Sequence, residues 1–178
     1  MELKKSTIAA LLQEKPKRGR PPHRISRQNV YVALTDEEKM GMYKLAEALP
    51  PGLKRADIPD LAIGLLALRL EHIRRHVADR DREMPEGITD MESLYLLWDL
   101  PLPVDDEDRK WTSLRVSPQQ AIELGRVHGV LHALFGANRS QVYILGLALF
   151  RQAILNELAA QSYHSISELQ DLMESIFL

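Results

Sequence analysis

Cysteine is absent from the 178 residues, which removes disulfides, thiolate chemistry and cysteine-based zinc sites. No window approaches eighteen uninterrupted apolar residues, so no segment reads as a membrane span. Glu2, Lys4 and Lys5 lead into a basic stretch where a signal peptide would need an apolar one, and the expectation is a soluble protein of the cytoplasm. The chain also lacks a glycine-rich phosphate loop at a strand-helix junction and any cluster of nucleophile and base, so catalysis is not expected and no cofactor is implied. Six histidines include the i, i+4 pairs His72/His76 and His128/His132. Neither pair has a third ligand beside it in sequence, so no metal site is expected.

What is present is an apolar content of 45%, enough for a real core, and a segregated charge. The net charge of -2 conceals two opposite blocks. Residues 1–27 hold Lys4, Lys5, Lys15, Lys17, Arg18, Arg20, Arg24 and Arg27 against Glu2 and Glu14, whereas residues 79–110 hold eleven acids against four bases. A basic arm of this kind suits a polyanion, and the near-neutral total argues against indiscriminate coating of DNA.

Residues 27–72 laid over 109–154, at a constant offset of 82, repeat one pattern without a gap. A short strand, Asn29-Val30-Tyr31-Val32-Ala33-Leu34 or Trp111-Thr112-Ser113-Leu114-Arg115-Val116, is followed by a hydroxyl residue placed to cap a helix, Thr35 or Ser117. Glu38 and Gln120 stand three positions on, able to close a capping box. A first helix then runs to about Ala48 or Leu134 and breaks at Pro50-Pro51-Gly52 or Gly136. A second, more apolar helix begins near Asp57 or Asn138 and runs to the aligned Arg69 and Arg151. Gly64 and Gly146 coincide within it. Glycine costs a helix about 1 kcal/mol relative to alanine, so the pairing predicts close helix-helix approach. The rival reading is chance likeness between two generic helical stretches.

The order strand, helix, loop, buried helix resembles the ribbon-helix-helix family of DNA-binding repressors and plasmid proteins. The resemblance is carried by Gly136-Ala137-Asn138-Arg139-Ser140-Gln141-Val142, similar to the family's loop into its second helix, and by Val30, Val32, Leu34 and Thr35-Asp36-Glu37, similar to its strand and cap. It implies a mainly α fold, a tandem ribbon-helix-helix pseudodimer whose two strands pair as an intramolecular antiparallel ribbon. On that basis residues 1–27 are a basic flexible arm, 28–78 the first copy, 79–109 an acidic linker with a short helix, 110–160 the second copy and 161–178 a C-terminal amphipathic helix.

Alternation turns Val30, Val32, Leu34, Leu114 and Val116 inward, and Asn29, Tyr31, Ala33, Trp111, Ser113 and Arg115 outward. A two-stranded ribbon fits the major groove, and its outward side chains are then the base-contacting residues. Arg115 suits bidentate bonding to guanine and Asn29 suits adenine. Tyr31 and Trp111 reach thymine methyls or sugar, or else simply support the ribbon ends. Phosphate contacts are expected where the second helices start, from Asn138, Arg139 and Ser140 in copy two and from Lys54 and Arg55 in copy one. Asp57 stands where copy two has Arg139, which makes the halves unequal and points to capping by Asp57.

In the arm, Lys17-Arg18-Gly19-Arg20-Pro21 resembles an AT-hook, which implies contact with the minor groove of A·T-rich DNA; a solvated basic tail is the alternative. The segment after Arg69, through Arg82, is expected to continue the second helix of copy one as a charged surface extension, and in the linker Met91, Leu94, Leu97 and Trp98 have helical spacing and want a core or a partner. Ile166, Leu169, Leu172, Met173 and Ile176 form one stripe that either caps its own core, joins two chains as a homodimer or docks a protein partner. The function expected is sequence-specific binding of double-stranded DNA by a transcriptional repressor on the nucleoid. A plasmid accessory protein for conjugative transfer or partition, and a DNA-binding antitoxin, are the alternatives.

Overall fold

A computed structural model describes residues 26–77, 81–103, 108–155 and 171. Among these residues the chain forms a mainly helical fold of five α-helices with one two-stranded antiparallel sheet. The order is β1 (Gln28–Leu34), α1 (Asp36–Glu47), a 3-10 turn (Arg55–Asp57), α2 (Ile58–His76), α3 (Met91–Leu97), β2 (Lys110–Val116), α4 (Pro118–Phe135) and α5 (Arg139–Ala153). No helix among the described residues is long and apolar enough to cross a membrane.

The two strands begin and end at positions that differ by the repeat offset, and so do the starts of α1 and α4. Their caps follow the local chemistry. Thr35 Oγ1 accepts from Glu38 N–H at 3.0 Å while a Glu38 carboxylate oxygen accepts from Thr35 N–H at 2.8 Å, completing the expected capping box. At Ser117 only half of the expectation holds. Its side chain accepts from Gln120 N–H, but Ser117 N–H donates to Asp60 Oδ1 at 2.8 Å. Gln120 is instead buried, with its amide against Gly64 and its Oε1 lacking a hydrogen-bond partner among the described residues. A carboxylate from α2 thus takes the place that local sequence offers to Gln120, because α2 lies within reach and Asp60 needs a donor in its buried position. Helix α4 ends on Gly136, whose φ of 68° is a left-handed conformation natural to glycine.

The core is one contiguous cluster drawn from both copies and from the segment between them. Helices α2 and α5 pack on each other at its centre. A Cβ on Gly146 would lie 2.8 Å from the Ala62 carbonyl oxygen, so this glycine permits the close approach expected of it. Gly64 does not share the role, since a Cβ there would meet only the Gln120 side chain, at 3.6 Å.

Two expectations for the central segment are corrected. Helix α2 ends at His76 rather than continuing through Arg82, because the chain turns back to bury Met84 in the core. The short helix α3 buries Leu94, Tyr95 and Trp98, while Leu97 is 51% exposed. The spacing 91, 94, 95, 98 makes one helical face, and Leu97 falls off it. Asp90 caps α3 by accepting from Ser93 N–H at 2.7 Å, and Gln152 of α5 donates to the Trp98 carbonyl at 3.1 Å. The Gln152 bond ties the segment to the second copy.

Candidate nucleic-acid interface

The ribbon pairs Asn29 with Arg115, Tyr31 with Ser113 and Ala33 with Trp111. All six outward residues expected from alternation therefore form three cross-strand pairs on one face. The central pair, Tyr31 and Ser113, consists of the two positions related by the offset of 82, so the register is symmetric about the repeat itself. On the opposite face Val32, Leu34, Leu114 and Val116 are buried, which pins this register: a slip of one residue would send the buried pair of the slipped strand into solvent. Tyr31 is 58% and Trp111 76% exposed. Asn29, Ser113 and Arg115 are exposed and Ala33 is half-buried.

The start of α5 closes one flank of the ribbon. Asn138 and Gln141 form a reciprocal capping box, at 3.0 and 2.9 Å, so the Asn138 side-chain oxygen is committed to the helix. Ser140 is buried, and its Oγ accepts from Ala33 N–H at 2.8 Å. Its hydroxyl oxygen ties α5 to β1, a role different from the expected one on the exposed surface. Arg139 is exposed and has no ion-pair partner among the described residues.

The other flank is arranged differently. Lys54 and Arg55 are exposed, with the Arg55 guanidinium 4.5 Å from the centroid of the Tyr43 ring. Asp57 makes no side-chain cap for α2, contrary to expectation. Its Oδ2 accepts from Lys54 N–H at 2.9 Å and its Oδ1 pairs with Arg27 at 2.6 Å. Arg27 also bonds the Ala56 carbonyl and lies 3.6 Å from Asp60. Burial raises the Asp60 pKa above the ordinary carboxylate value, while its bonds from Ser117 and the charge of Arg27 oppose the rise.

Two arginines at this interface escape a reading based on strand faces. Arg27, assigned from sequence to the basic arm, neutralises Asp57; Arg109, its counterpart at the repeat offset, pairs with Glu38 at 3.3 Å. Their shared position just before each strand was the available signal. At the ribbon end Lys110 meets Asp36 at 2.8 Å, and this hydrogen bond, followed by the lysine's charge, holds the Asp36 carboxyl below its ordinary value.

His128 lies near the α5 start. Desolvation by burial, then the charges of Arg139 and His132, lower its pKa below the ordinary 6.5. The folded state therefore binds fewer protons here than the unfolded chain between the lowered value and 6.5, and in that window stability falls as pH falls. Following His128 by NMR titration should give a midpoint below 6.5 that rises in Arg139→Gln. An unmoved midpoint would place Arg139 away from the imidazole.

Among the described residues no three histidines or carboxylates gather into a group that could hold a metal ion. The arm residues Lys17, Arg18, Gly19, Arg20 and Pro21 and the C-terminal stripe from Ile166 to Ile176 lie outside the described residues. No protein-family model matches the chain, and neither a curated protein nor a solved structure matches it.

Proposed function

We propose that this chain binds double-stranded DNA sequence-specifically, inserting the β1–β2 ribbon into the major groove as a transcriptional regulator, most simply a repressor acting on the nucleoid. In this reading the two copies are a ribbon-helix-helix pseudodimer within one polypeptide, and no second chain is needed to complete the ribbon. The observation that carries the reading is the register. It collects Asn29, Tyr31, Ala33, Trp111, Ser113 and Arg115 on the one solvated face of a two-stranded ribbon and centres that face on the repeat.

The two half-ribbons differ chemically, so the DNA subsite they read is asymmetric. Arg115 offers a guanidinium for guanine, and Asn29 lies directly across from it. Phosphate contacts fall unequally, with Arg139 and the α5 start on one flank and Lys54 and Arg55 on the other. The AT-hook-like segment Lys17 to Pro21 adds affinity through an adjacent minor groove.

Fluorescence anisotropy with the duplex upstream of the protein's own gene and with a random duplex, at physiological salt, tests this. The upstream duplex should bind at least about 10³-fold more tightly. Arg115→Ala should cost the specific complex roughly tenfold or more and leave random binding nearly unchanged. Arg139→Gln should weaken both duplexes and reduce the salt dependence. If Arg115→Ala changed neither affinity nor preference, the ribbon face would not be the reading surface.

A further inference from the structure

Beside the ribbon lies a cleft of about 630 Å³ between the outer face of β1–β2, helix α3 and the first turns of α5. Its size falls within the roughly 300–1,000 Å³ of small-molecule sites, and its walls are mainly aromatic and aliphatic. The exposed rings of Trp111 and Tyr31 and the buried Tyr95 and Ile144 are among its lining.

Among the described residues its lining includes the cations Arg109 and Arg139 and no carboxylate, with Asn138, Ser140 and Gln141 as neutral polar groups. Arg139 has no ion-pair partner among the described residues. Arg109 gives Nη2 to Glu38 at 3.3 Å, whereas its buried Nη1 finds no hydrogen-bond partner among them. That nitrogen is covered by the protein, so Arg139 is the cation open to the cleft, with Arg109 adding its charge beside it. Aromatic walls beside an exposed guanidinium match a flat apolar body that carries an anionic, planar acceptor.

We propose that this cleft binds a planar aromatic carboxylate, its ring system against Trp111 and its carboxylate toward Arg109 and Arg139. Because Tyr31, Ala33, Trp111 and Arg139 would also face DNA, ligand and duplex compete; this second consequence rests on the DNA-binding reading, while ligand binding itself does not. The other grooves differ. The one between α1 and α5, about 690 Å³, places Glu37, Glu38 and Asp99 beside Arg151, and in the cleft on the opposite flank of the ribbon, about 350 Å³, the Tyr43 ring already carries the Arg55 guanidinium on its face.

The test is isothermal titration of the full chain with 1-naphthoate and with the neutral 1-naphthamide. One saturable site that prefers the carboxylate by about tenfold or more is expected. Arg139→Gln should erase most of that preference and Trp111→Ala should weaken both compounds, with circular dichroism checking that each variant is folded. Both substitutions are at exposed positions, so loss of the fold is not expected to obscure the result. No binding up to millimolar concentration, equal binding of acid and amide, or binding indifferent to both substitutions would overturn the proposal; the last would place the ligand elsewhere. Adding naphthoate to the anisotropy experiment then separates the two readings. Naphthoate binding by a chain that binds no duplex leaves the cleft site standing and removes the DNA reading, and specific DNA binding without naphthoate binding does the reverse.

Discussion

Arg27→Ala is expected to lower the stability of the fold by about 3 kcal/mol at neutral pH, at the low end of what breaking a buried ion pair costs. The Arg27 and Asp57 side chains are only 16% and 11% exposed, so little water is present to take over from the guanidinium. Without it, Asp57 and Asp60 are left buried with no opposing guanidinium, and the Asp57 charge disfavours ionisation of Asp60. The sign of the pH dependence follows. Burial already raises the Asp60 pKa, and loss of Arg27 raises it further. A carboxylate whose folded pKa exceeds its unfolded value favours folding below the unfolded pKa and loses that advantage as pH rises through the folded one. The deficit of the variant should therefore be smallest near pH 3 and grow towards neutrality. Urea unfolding at several pH values measures it, and adding Asp57→Asn should recover part of the loss. A deficit that is flat with pH, with no recovery in the double variant, would mean that Arg27 acts through packing alone.

Gly146→Ala and Gly64→Ala should change stability in opposite directions although they occupy equivalent positions in the repeat. Alanine is better than glycine in a helix by about 1 kcal/mol, and at Gly64 nothing opposes that gain, since the nearest atom is the flexible Gln120 amide at 3.6 Å. Gly64→Ala is thus expected to be stabilising by somewhat under about 1 kcal/mol. At Gly146 the added methyl meets the Ala62 carbonyl oxygen at 2.8 Å and Leu66 Cβ at 3.4 Å. Backbone cannot rotate aside as a side chain can, so α2 and α5 must separate, and overpacking of this kind costs about 1–3 kcal/mol. The net expectation is destabilisation of about 1 kcal/mol, and at most about 2, after the helix gain is subtracted. Denaturant midpoints of the two variants decide it, and stabilisation of both would show that the α2–α5 contact is looser than the geometry requires.

The contrast between these glycines illustrates where a repeat stops being informative. At the level of sequence the copies look alike at positions 64 and 146, but in the fold α5 meets α2 through Gly146, whereas Gly64 lies against Gln120 of α4. Ser140 and Asp57 are similar cases. Both are polar residues at helix starts, where local reasoning assigns them to an anion or a cap. Ser140 is turned to β1, and Asp57 is claimed by Arg27 from thirty positions away. Such partners are set by which elements meet, and no local pattern contains that information.

Much was nevertheless determined by the sequence alone. Strand positions, the caps at Thr35 and Ser117, and the outward six of the ribbon follow from alternation, capping chemistry and the offset of 82, because each depends on neighbours a few residues away or on solvent. The cross-strand register, the exchange of Gln120 for Asp60 at the start of α4, the return of the central segment into the core and the cleft beside Trp111 were decided only in three dimensions. Each of those arises between segments distant in the chain, where burial and hydrogen-bond satisfaction select among partners that the local sequence leaves equivalent.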